Sequence, residues 1–264
     1  MSEEPLSDLL VIDLSQGVAG AFCCLLLRRC GAEVIKAEPP SGDPTRAAGP
    51  FPGDEPHPEK SALFLYINAG KKGVTLDVTH PDGARLLRRL AEQADILVDD
   101  SPPGRLESLG LSYEELSRTN PRLLMTSVTP LGAQGSSDRQ AEYLVGLNAF
   151  AATMVPLVSL AVHGKGQHID VSGSECLAAA SLCLGDGAEF HVFDPAQAED
   201  RSSFDEIEHP LAGRLSYPAA PFRIDGIARL SPAPLLGEHN DDVYCGLLAL
   251  TAEELAALRS AGAI

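Results

Sequence analysis

Positive charge is scarce in this chain: 20 Lys and Arg stand against 37 Asp and Glu, a net charge of −17 over 264 residues. Proteins that grip a phosphate backbone concentrate cations to displace counterions, so nucleic acid is excluded as the main partner. The first ten residues, MSEEPLSDLL, carry acids where a secretory leader needs bases. No apolar stretch reads as long enough to span a bilayer, which leads to the expectation of a cytoplasmic protein with no membrane partner. Cysteine is sparse, six residues at 23, 24, 30, 176, 183 and 245, with no C-x-x-C spacing. That pattern predicts reduced, buried thiols and no metal or redox site. Cys23 and Cys24 are adjacent and point to different sides of a helix, so one of them is expected to be partly exposed.

One glycine is missing as well. The stretch IDLSQGVAGAFCCLLLRRCGAEVIKAE, residues 12–38, has an apolar run, a polar turn, an apolar helix and a second run that ends on an acid. Its turn, SQGVAG, holds Gly17 and Gly20 but lacks the third glycine of G-x-G-x-x-G, which lowers the dinucleotide reading. Two readings stand: a cradle for phosphate, or the plain first turn of an α/β sheet.

What is present is enough apolar residue, 44%, to bury a full core. LLVIDL (9–14) reads as a strand, residues 18–30 as a helix and 32–38 as a second strand, the start of a right-handed βαβ unit. Residues 39–60 are dense in Pro and Gly and predict a long exposed loop. A turn at Ala69-Gly70 precedes another strand, and HPDGARLLRRLAEQA carries Leu86, Leu87 and Leu90 at helical spacing. DILVDD is a strand, Ser112 and Glu115 stand at capping-box spacing, and residues 123–128 form a further strand. The order is that of a doubly wound parallel sheet.

The succession VIDLSQGVAGAF, CGAEVIKAEPPSGDPTR, NAGKKGVTLDV, ADILVDDSPPGRLESLGLSYEELSRTNPRLL, HGKGQHIDVSGSE and PAPLLGEHNDDV resembles the class III CoA-transferases of the CaiB/BaiF type. That family includes formyl-CoA transferase, carnitine CoA-transferase and the α-methylacyl-CoA racemases. The resemblance implies a Rossmann-like α/β large domain over residues 1–185, a shortened linker at 186–203 where the family's smaller domain is largely absent, and a segment 204–264 that returns to the large domain. It implies coenzyme A and acyl-CoA as substrates with no permanently bound cofactor, a carboxylic acid as second substrate, and a homodimer or a heteromer with a family member. The stretch holding the histidine that racemase members pair with their Asp is reduced to a short join, which disfavours racemase chemistry.

Site residues follow from the same resemblance. Gln16, Gly17, Val18 and Ala19 would approach CoA through backbone groups, with Leu76 on the adenine side. Lys71 and Lys72 would meet its phosphates, the alternative being a solvated loop. Asp100, Ser101 and Ser108 replace the family's usual Asn, aromatic and basic CoA contacts, and Pro39 stands where a basic residue is common, leaving Arg46 or Arg105 to compensate. The family's nucleophile is an Asp at the head of the helix before the G-[KR]-G-Q turn. Reading back from HGKGQ places Glu142 there, with the small residue Gly146 one turn on. A first-turn acid held by the helix dipole is the other reading of Glu142. Asp170 is expected to cap the next helix, and His163, His168 and His239 form no catalytic or metal constellation by spacing. The activity implied is CoA transfer through Glu142 and an acyl-enzyme anhydride, or else a non-catalytic member that serves as a partner subunit.

Overall fold

Short runs rich in branched apolar residues build the centre of the molecule. In the computed structural model, which describes residues 4–129, 139–184, 204–218 and 230–264, they are β1 (Leu10–Asp13), β2 (Glu33–Glu38), β3 (Lys72–Thr75), β4 (Ile96–Asp99), β5 (Leu124–Thr129) and β6 (His168–Ser172). These form one sheet in the order β3-β2-β1-β4-β5-β6, with every neighbouring pair parallel. Successive strand side chains face opposite ways, so each strand feeds two cores. Val11, Val34, Ile96 and Val98 pack on one face, and Ile12, Ile35 and Leu97 on the other.

Helices cover both faces. The crossovers carry α1 (Val18–Arg29), α2 (Ala62–Ile67), α3 (Pro81–Gln93), α4 (Arg105–Ser108), α5 (Tyr113–Thr119) and α6 (Arg139–His163), and α7 (Gly173–Leu184) follows β6. In α3, Leu86, Leu87 and Leu90 face the sheet, and Pro81 at the first helical position supplies a pre-set φ. A Cβ at Gly146 of α6 would lie 2.5 Å from the Ala19 carbonyl oxygen, so glycine is what lets α6 close on α1. Pressed between sheet and neighbouring helices, α1 buries both Cys23 and Cys24 completely, against the expectation that one would show. Burial pushes the Cys23 thiol up to about 12. The side chain of Cys183 lies outside the described residues.

The chain returns to the sheet at its far end. A hairpin of β7 (Phe204–His209) and β8 (Gly213–Pro218) is antiparallel and packs Ile207 and Tyr217 against Leu25, Phe64 and Leu65. A π-helical turn, Asp242–Leu247, then places Tyr244 in the core beside Leu255 and Leu258 of α8 (Ala252–Ser260). The Tyr244 hydroxyl donates to the Thr75 carbonyl at 2.8 Å, and the Asn240 amide closes on Thr75 from both sides. The linker expected at 186–203 lies outside the described residues.

Two further expectations change. Residues 39–60 are not a wholly exposed loop: they contain two 3-10 turns, Pro44–Ala47 and Pro52–Asp54, and bury Asp43, Thr45 and Arg46. Helix α6, at 25 residues, is long and apolar enough by length and composition to cross a membrane, whereas the sequence reading expected no such segment. It lies along α1 and buries Ala141, Val145, Ala149, Thr153 and Leu160, leaving Leu147, Val155, Val158 and Val162 exposed.

Candidate functional site

Strand order reverses between β1 and β4, and at such a switch point the loops leaving the carboxyl ends of the strands diverge and open a crevice. Here the crevice is a cavity of about 570 Å³. One wall is the first β-α turn, Gln16, Gly17, Val18 and Ala19; the opposite wall is Leu76 and Val78 beyond β3; the floor is Asp99, Asp100 and Ser101 after β4. Glu142 and Val145 from the first turns of α6 complete it, and Arg105 and Arg139 stand among its lining residues.

The turn is shaped by close packing. A Cβ at Gly20 would meet the Ser15 Cβ at 2.5 Å, and one at Gly17 would lie 3.0 Å from Asp100 Oδ2. The Gln16 N–H donates to Asp100 Oδ1 at 2.7 Å. The two glycines thus seat the start of α1 against Ser15 and Asp100, and this chain's own carboxyl occupies one free amide of the turn.

Beneath the turn lies a buried charge cluster that the sequence reading missed. The Lys71 ammonium donates to Asp13 Oδ2 at 2.7 Å, to the Ala21 carbonyl at 2.9 Å and to Asn68 Oδ1 at 2.9 Å. The Lys36 ammonium lies 2.7 Å from Asp43 Oδ2 and donates to the Ser15 carbonyl. Burial alone would push the Asp13 carboxyl up, but Lys36 and Lys71 outweigh it and hold the group at about 2. No motif marks this cluster, because its central acid, Asp13, pairs with Lys71 across 58 residues and with Lys36 of the next strand; only an acid at the end of a buried strand hints at it.

Lys71 and Lys72 are therefore corrected as cavity residues. Lys71 turns inward and is 2% exposed, spending its charge on Asp13. Lys72 opens β3 at the amino end of the strands and pairs with Glu33 at 2.6 Å on the surface, whereas the cavity lies beyond the carboxyl ends. Arg46 cannot stand in for them. It forms a two-pronged pair with Glu38 at 2.6 and 2.8 Å, reaches Glu59 at 2.6 Å and stacks on Phe64. Among the described residues, the cations that line the cavity are Arg105 and Arg139, the second of which carries no motif in the sequence.

The acids differ in their support. Asp99 takes two donors from Ser101, N–H at 3.2 Å and Oγ at 2.8 Å; burial raises its pKa. Glu142 sits in the first turn of α6, where the free N–H groups favour a negative charge. Beside it, burial pushes the Tyr143 hydroxyl up to about 12, and its ring meets Phe22 edge-on at 4.9 Å. Asp170 is not a cap. It lies exposed within β6 opposite Ser127, and Ser172 Oγ accepts the Glu175 N–H at the head of α7 instead. His168 is held near Ser127 and stacked on Tyr113, and His239 accepts the Gly73 N–H.

The sequence model described as CoA-transferase family III matches residues 6–143. The chain is 35% identical over 211 residues to the succinyl-CoA:(R)-benzylsuccinate CoA-transferase subunit BbsE of Thauera aromatica, covering 68% of this chain and 50% of that protein. It is 29% identical over 229 residues to succinyl-CoA:glutarate CoA-transferase of Homo sapiens, covering 74% and 50%. To the beta subunit of succinyl-CoA–L-malate CoA-transferase of Chloroflexus aurantiacus it is 31% identical over 202 residues, covering 64% and 49%. The chain thus spans about half the length of these curated relatives. A CAIB/BAIF family protein from Brucella suis shares the fold, with a TM-score of 0.76 at 20% identity over 93% of this chain and 100% of the other.

Proposed function

The chain belongs to CoA-transferase family III, and from that premise we propose that it moves coenzyme A between an acyl-CoA and a carboxylic acid, with Glu142 as attacking carboxylate. The observation that carries the proposal is the place of Glu142: at the head of a long helix, on the wall of the one crevice that the strand order creates. A Glu142 oxygen attacks the thioester carbonyl carbon, the C–S bond breaks, and the thiolate leaves with the electron pair. A mixed anhydride remains. The thiolate then attacks the Glu142 carbonyl and the donor acid departs; the acceptor carboxylate replaces CoA on Glu142, and the thiolate finally takes the new acyl group.

The remaining lining divides by chemistry. Gln16 to Ala19 offer backbone groups at a helix start, Leu76 and Val78 an apolar wall for the adenine end, and Arg105 a cation for phosphate. Arg139 stands three residues before Glu142 on the same helix and shares its side. A cation there suits an acid with a second carboxylate, and the three relatives above are named for succinyl-CoA as donor. The working substrates are therefore succinyl-CoA and a dicarboxylic acid, in the cytoplasm, with no permanently bound cofactor.

The test is Glu142→Gln, which keeps size and removes the nucleophile. Turnover of succinyl-CoA with a dicarboxylate should fall at least about a hundredfold while CoA binding holds, and hydroxylamine should label Glu142 as its hydroxamate in the parent only. Full turnover by the variant would make Glu142 a structural acid. A second reading, a subunit acting with another copy or a related chain, is favoured by the exposed Val155, Val158 and Val162 of α6 and by relatives named as subunits. Light scattering at micromolar concentration tests it: a strict monomer that is inactive without a related chain supports the heteromer.

A further inference from the structure

The acids around the cavity are not equally prepared to carry charge. Asp13 has two ammonium partners, and Asp99 has both donors of Ser101. Asp100 has one neutral donor, the Gln16 N–H on Oδ1. Among the described residues no hydrogen bond reaches its Oδ2, which is wedged 3.0 Å from where a Gly17 Cβ would stand and 3.4 Å from that of Gly20. Ionised, it would set an ill-supported negative charge on the floor of a cleft that, under the function proposed above, admits polyanions. Neutral, it offers one acceptor to the turn and one O–H donor to the cavity.

We propose that Asp100 works as a neutral carboxylic acid, accepting the Gln16 N–H through Oδ1 and presenting its Oδ2 hydroxyl to the ligand, so that its ionisation closes the cleft to anionic thioesters. The charges that face it come from each neighbouring element. β1 brings Asp13, already neutralised by Lys36 of β2 and Lys71. β4 brings Asp99, α4 brings Arg105, and α6 brings Arg139 and Glu142, while the α1 turn brings no charge. Burial pushes the Asp100 carboxyl up to about 7, with Asp99 and Asp13 raising it further and the Gln16 N–H and Lys36 opposing. Asp100 on the floor and Glu142 on the wall of the cavity then take different roles, one a donor and one a nucleophile.

The direction of the pH effect follows. The protonated form is the competent one, and above about pH 7 its population falls tenfold per unit, so apparent affinity falls about tenfold per unit. The experiment titrates CoA calorimetrically into the parent and into Asp100→Asn, which keeps the acceptor oxygen and a donor without an ionisation, from about pH 5.5 to about pH 8.5. Ionisations of the CoA phosphate and thiol affect both proteins equally, so the difference between the two curves isolates Asp100. Binding by the variant should exceed that of the parent about tenfold near pH 8, with the parent alone showing the added slope. Infrared difference spectra of the ligand-free proteins should show a carboxylic acid band that titrates near neutrality in the parent and is missing from Asp100→Asn. Equal slopes, or a parent without that band, overturn the role of Asp100 and leave the transferase reading standing. Failure of both proteins to bind CoA at any pH overturns the cleft and the gate together.

Discussion

Asp13 illustrates what a buried charge requires. It is fully buried, yet it stays ionised because two lysines, Lys36 of β2 and Lys71 just before β3, converge on it. Removing one partner strands the others, which costs more than the pair contributes. Asp13→Asn should lower unfolding free energy by about 3–5 kcal/mol in urea titration. Because the carboxyl is held at about 2 in the folded protein and 3.8 is its ordinary value, its contribution is complete above about pH 4 and is lost as pH falls toward about 2. Roughly 2 kcal/mol of acid sensitivity should therefore be present in the parent and missing from Asp13→Asn, read from urea midpoints between about pH 4 and about pH 2. The cluster also bears on the site, since Lys36 holds the Ser15 carbonyl and Ser15 is where the cavity turn begins.

At the scale of elements, the sequence carries its own pattern wherever partners are near. β1, α1 and β2 were legible because apolar runs alternate with a helix-length segment, and α3 because its leucines repeat on one face. Contacts between distant segments left no such mark. Lys71 looks like a loop lysine until Asp13, Ala21 and Asn68 surround it. Residues 39–60 look exposed from their prolines, yet Glu38 draws Arg46 inward across eight residues. The turn that follows its helix singles out Glu142, which lines the cavity, while Arg139 beside it has no motif to declare it. Gly146 tests how tightly α6 sets Glu142. In Gly146→Ala the added methyl meets the Ala19 carbonyl at 2.5 Å, so α6 must move from α1, at a cost of about 1–3 kcal/mol. If the helix register places the nucleophile, kcat should fall by about tenfold to a hundredfold with CoA affinity little changed. An unchanged kcat in the destabilised variant would detach the chemistry from that contact.

Under the function proposed above, the problem for the whole molecule is to attract a polyanion to a chain of net charge −17. The far field repels CoA, and only charges within a Debye length, about 8 Å at physiological salt, act strongly on a bound phosphate. Arg105 lines the cavity. Lys72 begins the strand that ends before Leu76, about 13 Å away at strand rise, and is already paired with Glu33. The C-terminal segment keeps this separation fixed, because Tyr244 and Asn240 hold β3 at Thr75, between the two places. The two cations should thus respond differently to the same kind of change. Arg105→Ala should weaken CoA binding about threefold to tenfold at low ionic strength, with the loss shrinking as salt rises. Lys72→Glu makes the chain more acidic than Arg105→Ala does, yet should change affinity less than about twofold at physiological salt. Parallel calorimetric titrations over a salt series separate the two effects. A Lys72→Glu loss as large as that of Arg105→Ala would move the phosphate site to the amino end of the sheet, away from Glu142.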